Sequence, residues 1–160
     1  MHPSIAQQLK QKRSFSSAEQ EAMLGIRMVA ARLVAPWEQF LKSAADLTTS
    51  QYNVLRILRG SHPAALTCGA IGERTIAREP DVTRLVDRLD ARGLVKRARS
   101  EEDRRVVDVH ITPKGLDLLR ELDPHSQKMP RALIGHVSQP KLRQLTKLLA
   151  DVLDGMGTYP

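Results

Sequence analysis

The feature that most constrains this chain is a change of hydrophobic period on either side of Gly93. Before this glycine, apolar residues recur at the i, i+3, i+4, i+7 spacing of one helix face; they are Val82, Leu85, Val86 and Leu89. After it, apolar residues occupy alternate positions, as in a half-buried strand; these are Val107, Val109 and Ile111. Because Gly93 also suits the left-handed cap that ends a helix, the stretch from 78 to 112 predicts a helix, a tight stop and a β-hairpin.

The predicted helix has a polar face opposite its apolar stripe. Once the stripe is buried, the residues that point outward are Thr83, Arg84, Asp87, Arg88 and Ala91. Asp87 would repel a DNA phosphate, but Arg84 and Arg88 lie within one helical turn of it and can pair with it. In an isolated helix such a face is usually only a solvated surface. The neighbouring hairpin is therefore needed before this face indicates DNA binding.

A charged loop connects the two strands of the predicted hairpin. Residues 99–105 read Arg-Ser-Glu-Glu-Asp-Arg-Arg, which is too polar to pack and too long for a two-residue turn. We expect this loop to project into solvent as a wing. Because a DNA major groove admits a helix and a narrow minor groove attracts arginine, the helix and the wing together predict double-stranded DNA as the partner. The candidate DNA-binding residues are Asp81, Thr83, Arg84, Arg88, Arg97, Arg99, Arg104 and Arg105, with Lys96 as a further phosphate contact.

Net charge alone does not identify the partner. The 160 residues include 25 Lys and Arg against 18 Asp and Glu, a net charge of +7. Residues 78–105 hold nine basic and seven acidic side chains, a balance of only 9 − 7 = +2, so the placement of the arginines carries the prediction. The alternative is a winged-helix module that binds protein or structured RNA. Aromatic residues make up only 3% of the chain, which leaves few side chains to stack on unpaired bases.

The flanking segments indicate the fold class, which is mainly α with a small β-hairpin (α+β). The pattern predicts a mobile arm over 1–16, a winged helix-turn-helix DNA-binding lobe over 47–112, a helical dimerisation region over 17–46 and 113–155, and a frayed tail over 156–160. Thr48 and Thr67 are the expected N-caps of two helices that precede the 78–112 stretch. We expect Pro36, Pro124 and Pro130 to kink or divide longer helices, because each removes a backbone donor.

Both terminal helical regions are apolar over more than one face. A second copy of the chain is the expected cover for the additional apolar surface, and packing within one chain is the alternative. The candidate dimerisation residues are Ile26, Leu142, Leu145, Leu149 and Val152. Ser138 is the expected N-cap of the last helix.

Several function classes lack their sequence signals. Cys68 is the single cysteine, which excludes an internal disulfide, fits a reducing compartment and favours a small buried role over a redox sensor. No apolar run approaches the roughly 18 residues of a membrane span, and no apolar segment follows the basic residues at the N-terminus. We therefore expect a cytoplasmic protein without a membrane partner. The histidine spacing predicts no metal, and no Gly-rich phosphate loop or nucleophile motif predicts a cofactor or an enzyme.

Ordered motifs between residues 47 and 115 resemble the MarR family of bacterial transcription regulators. They are Leu47-Thr48 with Gln51 and Leu55, the run Asp81 to Leu89, Gly93-Leu94-Val95, Arg97, Asp103-Arg104-Arg105, and Ile111 to Gly115. Their order and spacing, rather than any single motif, carry the resemblance.

The resemblance implies a homodimeric winged-helix protein that binds pseudo-palindromic DNA, most often as a repressor. It also implies release by a small ligand, commonly an aromatic or phenolic anion. In such proteins the second arginine of the wing motif enters the minor groove, which assigns that role to Arg105 and an orienting salt bridge to Asp103. Three aromatic residues could line the effector pocket or belong to the core: Trp37, Phe40 and Tyr52.

Overall fold

The computed structural model describes residues 4–13, 15–76, 81–99 and 107–156. In chain order its elements are α1 (Ile5–Gln8), α2 (Ala18–Ala45), α3 (Thr49–Ser61), β1 (Leu66–Thr67), α4 (Cys68–Gly72), α5 (Val82–Ala91), β2 (Val95–Arg99), β3 (Val107–Ile111), α6 (Pro113–Ile134) and α7 (Gln139–Gly155). The predicted class, mainly α with a small antiparallel sheet, is confirmed. The chain divides into two compact units, Met1–Arg120 and Glu121–Pro160.

The larger unit is built around α3, which is amphipathic and sits at the centre of the core. Thr48 caps α3 as expected, and its side chain and that of Gln51 form a reciprocal capping box. The buried apolar residues of this unit are Leu41, Leu47, Tyr52, Val54, Leu55, Leu58, Ile71, Val86, Leu89, Leu94, Val95, Val109, Ile111 and Leu119. Val86 and Leu89 from the predicted α5 stripe are therefore core residues, while Val82 and Leu85 are half-buried.

The sheet has one strand more than the predicted hairpin. Its order is β1-β3-β2, and β3 pairs antiparallel with both neighbours. β1 contains only Leu66 and Thr67, too few residues for an alternating pattern to reveal. Thr67 also caps α4, as expected, by accepting a hydrogen bond from the Ala70 backbone at 3.1 Å. α4 ends at Gly72.

The prolines do not divide the long helices. α2 continues through Pro36, and α6 continues through Pro124 and Pro130. A proline removes one backbone donor from a helix, and the hydrogen bonds of the neighbouring turns maintain the helix on both sides of each site. Asp46 is the C-cap of α2: it adopts a left-handed conformation (φ 48°), and its N–H donates to the Leu41 and Lys42 carbonyls.

A short helix lies within the segment expected to be a mobile arm. Ser4 and Gln7 form a capping box around α1. α1 packs on α2, with the Ile5 side chain so close to Gly25 that a Cβ added there would lie 3.4 Å from it. Arg32 of α2 also donates a hydrogen bond to Gln8 at 3.0 Å. These contacts connect residues distant in sequence, so no local pattern predicts them.

The smaller unit consists of the C-terminal part of α6 and α7. Pro140 occupies the first turn of α7. Ser138 is the N-cap of α7 as expected, and its side chain makes no capping hydrogen bond. No residue of α7, a helix that is described throughout, is buried. Within the described ranges, no helix has both the length and the hydropathy needed to span a bilayer.

Candidate nucleic-acid interface

An aspartate caps the N-terminus of α5. Asp81 accepts a hydrogen bond from the Arg84 backbone N–H at 3.0 Å, which makes it the N-cap. Its second carboxylate oxygen lies 3.0 Å from Arg84 Nε, a pair that remains solvent-exposed. Asp81, a candidate DNA contact in the sequence, therefore shapes the helix terminus and orients Arg84. Glu79 and Pro80 lie outside the described residues.

The outward face of α5 carries the side chains that the sequence predicts there. Thr83, Arg84, Asp87 and Arg88 are exposed, and the buried residues of the helix lie on the opposite side. This face is wide enough to present a hydroxyl and two guanidinium groups from consecutive turns. Such a helix face suits the major groove, where arginine pairs with guanine and hydroxyl groups contact several base edges.

An ion pair connects this face to the sheet. Arg97 Nη1 of β2 contacts Asp87 Oδ1 of α5. The sequence predicts that Asp87 can pair with Arg84 or Arg88 on its own helix. In the structure Arg84 pairs with Asp81 instead, and Asp87 pairs with Arg97 of the strand. Ten residues separate the two members of the pair, and only the packing of β2 beside α5 brings them together.

The base of the wing is basic. Arg99 is exposed at the end of β2, opposite Val107 in the antiparallel register, and it shares a sheet face with Arg97. Lys96 is exposed on the other face. The remaining wing residues, Asp103, Arg104 and Arg105 among them, lie outside the described residues, so their assigned roles stay predictions.

An aromatic cluster lies where α2 meets α3. The Trp37 ring stands edge-on to Tyr52, with centroids 5.0 Å apart, and lies 5.5 Å from the Phe40 ring. Tyr52 is buried, and among the described residues its hydroxyl has no hydrogen-bond partner. The Arg56 guanidinium lies 6.0 Å from the Tyr52 centroid. The three aromatic candidates are thus brought together, beside a cation and an unsatisfied hydroxyl.

Each compact unit carries exposed apolar side chains on a terminal helix. On α2 they are Met23 (56% exposed), Ile26 (42%), Val29 (50%) and Val34 (42%). On α7 they are Leu145 (46%), Leu148 (55%), Leu149 (38%), Val152 (46%) and Leu153 (71%). Leu142 is half-buried. Ile26, Leu145, Leu149 and Val152, which the sequence predicts as dimerisation residues, are among these exposed side chains.

Cys68, expected to be buried, is a free thiol of intermediate exposure at the start of α4. Among the described residues, no group of three His, Cys, Asp or Glu side chains is arranged to hold a metal ion.

Comparison with known proteins decides the family. A model described as "MarR family" matches residues 45–106. A solved structure, "Crystal structure of MarR transcription factor from Planctomyces limnophilus", is 39% identical, with a TM-score of 0.65; the match covers 86% of this chain and 98% of that one. The chain belongs to the MarR family. This solved relative is described as a transcription factor, which is the class of protein that the sequence predicts.

Two other relatives extend the comparison. The transcriptional repressor MprA of Escherichia coli (strain K12) is 34% identical over 97 residues, which are 59% of this chain and 52% of MprA. The chain thus matches about half the length of that curated relative. BpsR of Bordetella bronchiseptica is 27% identical with a TM-score of 0.69, and the match covers 79% of this chain and 94% of BpsR. The description of the BpsR structure names a mechanism for regulation of its DNA binding by 6-hydroxynicotinic acid.

Proposed function

We propose that this MarR-family regulator is a homodimeric repressor that binds a pseudo-palindromic operator and is released by a small aromatic or phenolic anion. The observation that carries the proposal is the exposed face of α5, where Thr83, Arg84 and Arg88 stand beside the basic base of the wing. Because the proposed partner is double-stranded DNA, we also propose that the protein acts in the cytoplasm.

The proposed docking uses both grooves. Thr83, Arg84 and Arg88 enter the major groove and read base edges, because arginine and hydroxyl side chains are suited to them. Arg105 enters the adjacent minor groove, and Asp103 orients it. Arg97 and Arg99 contact phosphates, which position the protein without reading sequence.

The proposed dimer covers the exposed apolar faces of α2 and α7. Ile26 represents the α2 face, and Leu145, Leu149 and Val152 represent the α7 face. Two-fold symmetry then sets the two α5 helices roughly 34 Å apart, so that each reads one half-site. A second copy is the occupant we favour, because a symmetric regulator of a palindromic site needs a self-complementary surface.

The proposed effector site is the aromatic cluster of Trp37, Phe40 and Tyr52. An aromatic ring can stack there, the Tyr52 hydroxyl lacks a partner among the described residues, and Arg56 offers a positive charge for an anion. The description of BpsR names a hydroxylated aromatic acid as the regulator of its DNA binding, which fits this chemistry. Release would be a population shift: a ligand that binds better to a dimer with wrongly spaced α5 helices lowers operator affinity.

The decisive experiment measures binding to the DNA upstream of the chain's own coding region. We expect one duplex to bind far more tightly than random duplex of equal length, with an affinity that falls steeply as salt rises. Equal affinity for all duplexes would contradict operator recognition and favour the interaction-module alternative. Adding aromatic acids such as 6-hydroxynicotinic acid tests the effector separately, and no change in operator affinity with any of them would contradict that part.

A further inference from the structure

A two-point hydrogen bond joins the end of α5 to the end of α2. Arg92, the first residue after α5, donates from Nη1 to the Asp46 carbonyl at 2.9 Å and from Nη2 to the Ala45 carbonyl at 2.7 Å. The last carbonyls of a helix have no partner within the helix. The planar fork of arginine can satisfy two neighbouring carbonyls at once, whereas the single ammonium of lysine cannot hold both in that geometry.

The start of α6 contacts the corner that is formed where the end of α5 meets the end of α2. Lys114 donates to the Arg92 carbonyl at 2.8 Å, and the Thr112 hydroxyl donates to the Gly93 carbonyl at 2.7 Å. The backbones approach so closely that a Cβ on Gly115 would lie 2.3 Å from the Leu94 carbonyl oxygen. Gly93 adopts a φ of 67°, the left-handed conformation that allows the chain to turn between α5 and β2.

Charged side chains at the C-terminal end of α2 strengthen the same corner. Lys42 pairs with Asp46 across one turn, and its hydrogen bond and charge lower the pKa of that carboxyl, as does the Arg92 guanidinium. Arg92 also stands at the C-terminal end of α2, where the helix dipole favours a positive group. Both the backbone and the side chain of Asp46 therefore attract Arg92.

We propose that Arg92 is a positioning residue for operator binding, which fixes the direction of α5 relative to α2 without touching DNA. The inference rests on the proposed function, since α2 carries part of the proposed dimer surface and α5 reads the operator. If α2 is held by the partner copy, the Arg92 fork transmits the dimer geometry to the recognition helix. Ala45 is half-buried and Asp46 is exposed, so we expect water to bind their carbonyls when Arg92 is absent, and the fork then contributes more to orientation than to folding.

The test compares Arg92→Ala and Arg92→Lys with the wild-type dimer on the tightest-binding upstream duplex, over a series of salt concentrations. Arg120→Ala is the matched control, because it also removes one arginine, whose partner is Asp117 on the same helix. We expect Arg92→Ala to lose about tenfold or more in affinity, Arg92→Lys to lose less, and the control to change little. The slope of log affinity against log salt should stay at its wild-type value, because no phosphate contact is removed.

Two outcomes overturn the proposal. A folded, dimeric Arg92→Ala with wild-type affinity would show that the corner only stabilises the fold. A salt slope lowered by about 0.9 would make Arg92 a phosphate contact. If Arg92→Ala does not fold, wild-type affinity for Arg92→Lys overturns the proposal, because lysine keeps the charge but not the two-point hydrogen bond. A wild-type chain that binds no duplex contradicts the proposed function instead, so the two failures are distinguishable.

Discussion

Arg97 of β2 and Asp87 of α5 form an ion pair on the surface proposed to face DNA. The pair places Asp87, an exposed acidic side chain of the outward α5 face, against a strand arginine. It thereby withholds one cation from phosphate in the free protein. Neutralising Asp87 should therefore change how strongly the protein binds any duplex, not only its operator.

We expect Asp87→Asn to raise affinity for random duplex several-fold and to steepen the salt slope by about 0.9, because Arg97 becomes free for one more phosphate. Titration of labelled random duplex at several salt concentrations measures both. Asp117→Asn is the matched control, since it releases an arginine on α6 away from this surface. An unchanged salt slope for Asp87→Asn would mean that Arg97 does not reach DNA.

Removing a base-reading arginine should cost specificity as well as affinity. We expect Arg88→Ala to lose about 1–3 kcal/mol of operator binding and to relax preference at one base pair of each half-site. Competition among operators mutated at single positions measures this. A loss of equal size on every duplex would instead identify Arg88 as a phosphate contact.

The wing arginine should be sensitive to groove width. We expect Arg105→Ala to weaken operator binding most where A·T pairs lie beneath the wing, because a narrow minor groove concentrates negative potential. Substituting G·C pairs at those positions should remove most of the difference between wild type and variant. A difference that persists on every flanking sequence would argue against minor-groove insertion.

A charge on the apolar face of α7 should break the dimer. We expect Leu149→Glu to shift the protein toward monomer and to abolish operator binding, because a carboxylate cannot be buried there without a partner. Light scattering measures the molar mass of the variant, and circular dichroism shows whether the variant is folded. Lys147→Glu is the control, because Lys147 lies on the opposite side of the same helix. A dimeric Leu149→Glu would exclude this face as the interface.

The Asp46 carboxyl should give a pH-dependent contribution to stability. Its pKa lies below the ordinary value, chiefly through the Lys42 hydrogen bond. A lowered folded pKa stabilises the protein above the unfolded pKa, and the stabilisation disappears as the pH falls through the folded value. Thermal unfolding of wild type and Asp46→Asn should therefore differ slightly at neutral pH and converge in acid. Asparagine also tolerates the left-handed backbone there, so a constant difference at all pH values would contradict the electrostatic cause.

Local sequence was enough to predict the parts of the molecule that depend on nearest neighbours. The period change at Gly93 predicts α5 and the β2–β3 hairpin, because side-chain direction repeats with 3.6 residues in a helix and two in a strand. Thr48 and Thr67 were recognisable caps, because a cap interacts only with residues two or three positions away. The exposed face of α5 follows from the same periodicity.

The tertiary structure decided which distant groups meet. Asp87 pairs with Arg97 rather than with its own helix, because β2 packs beside α5. The Arg92 fork joins carbonyls 46 and 47 residues away in sequence, and β1 exists only because β3 offers it backbone partners. Spacing along the chain carries no information about such contacts, since their energy depends on how close the folded elements come and not on their separation in sequence.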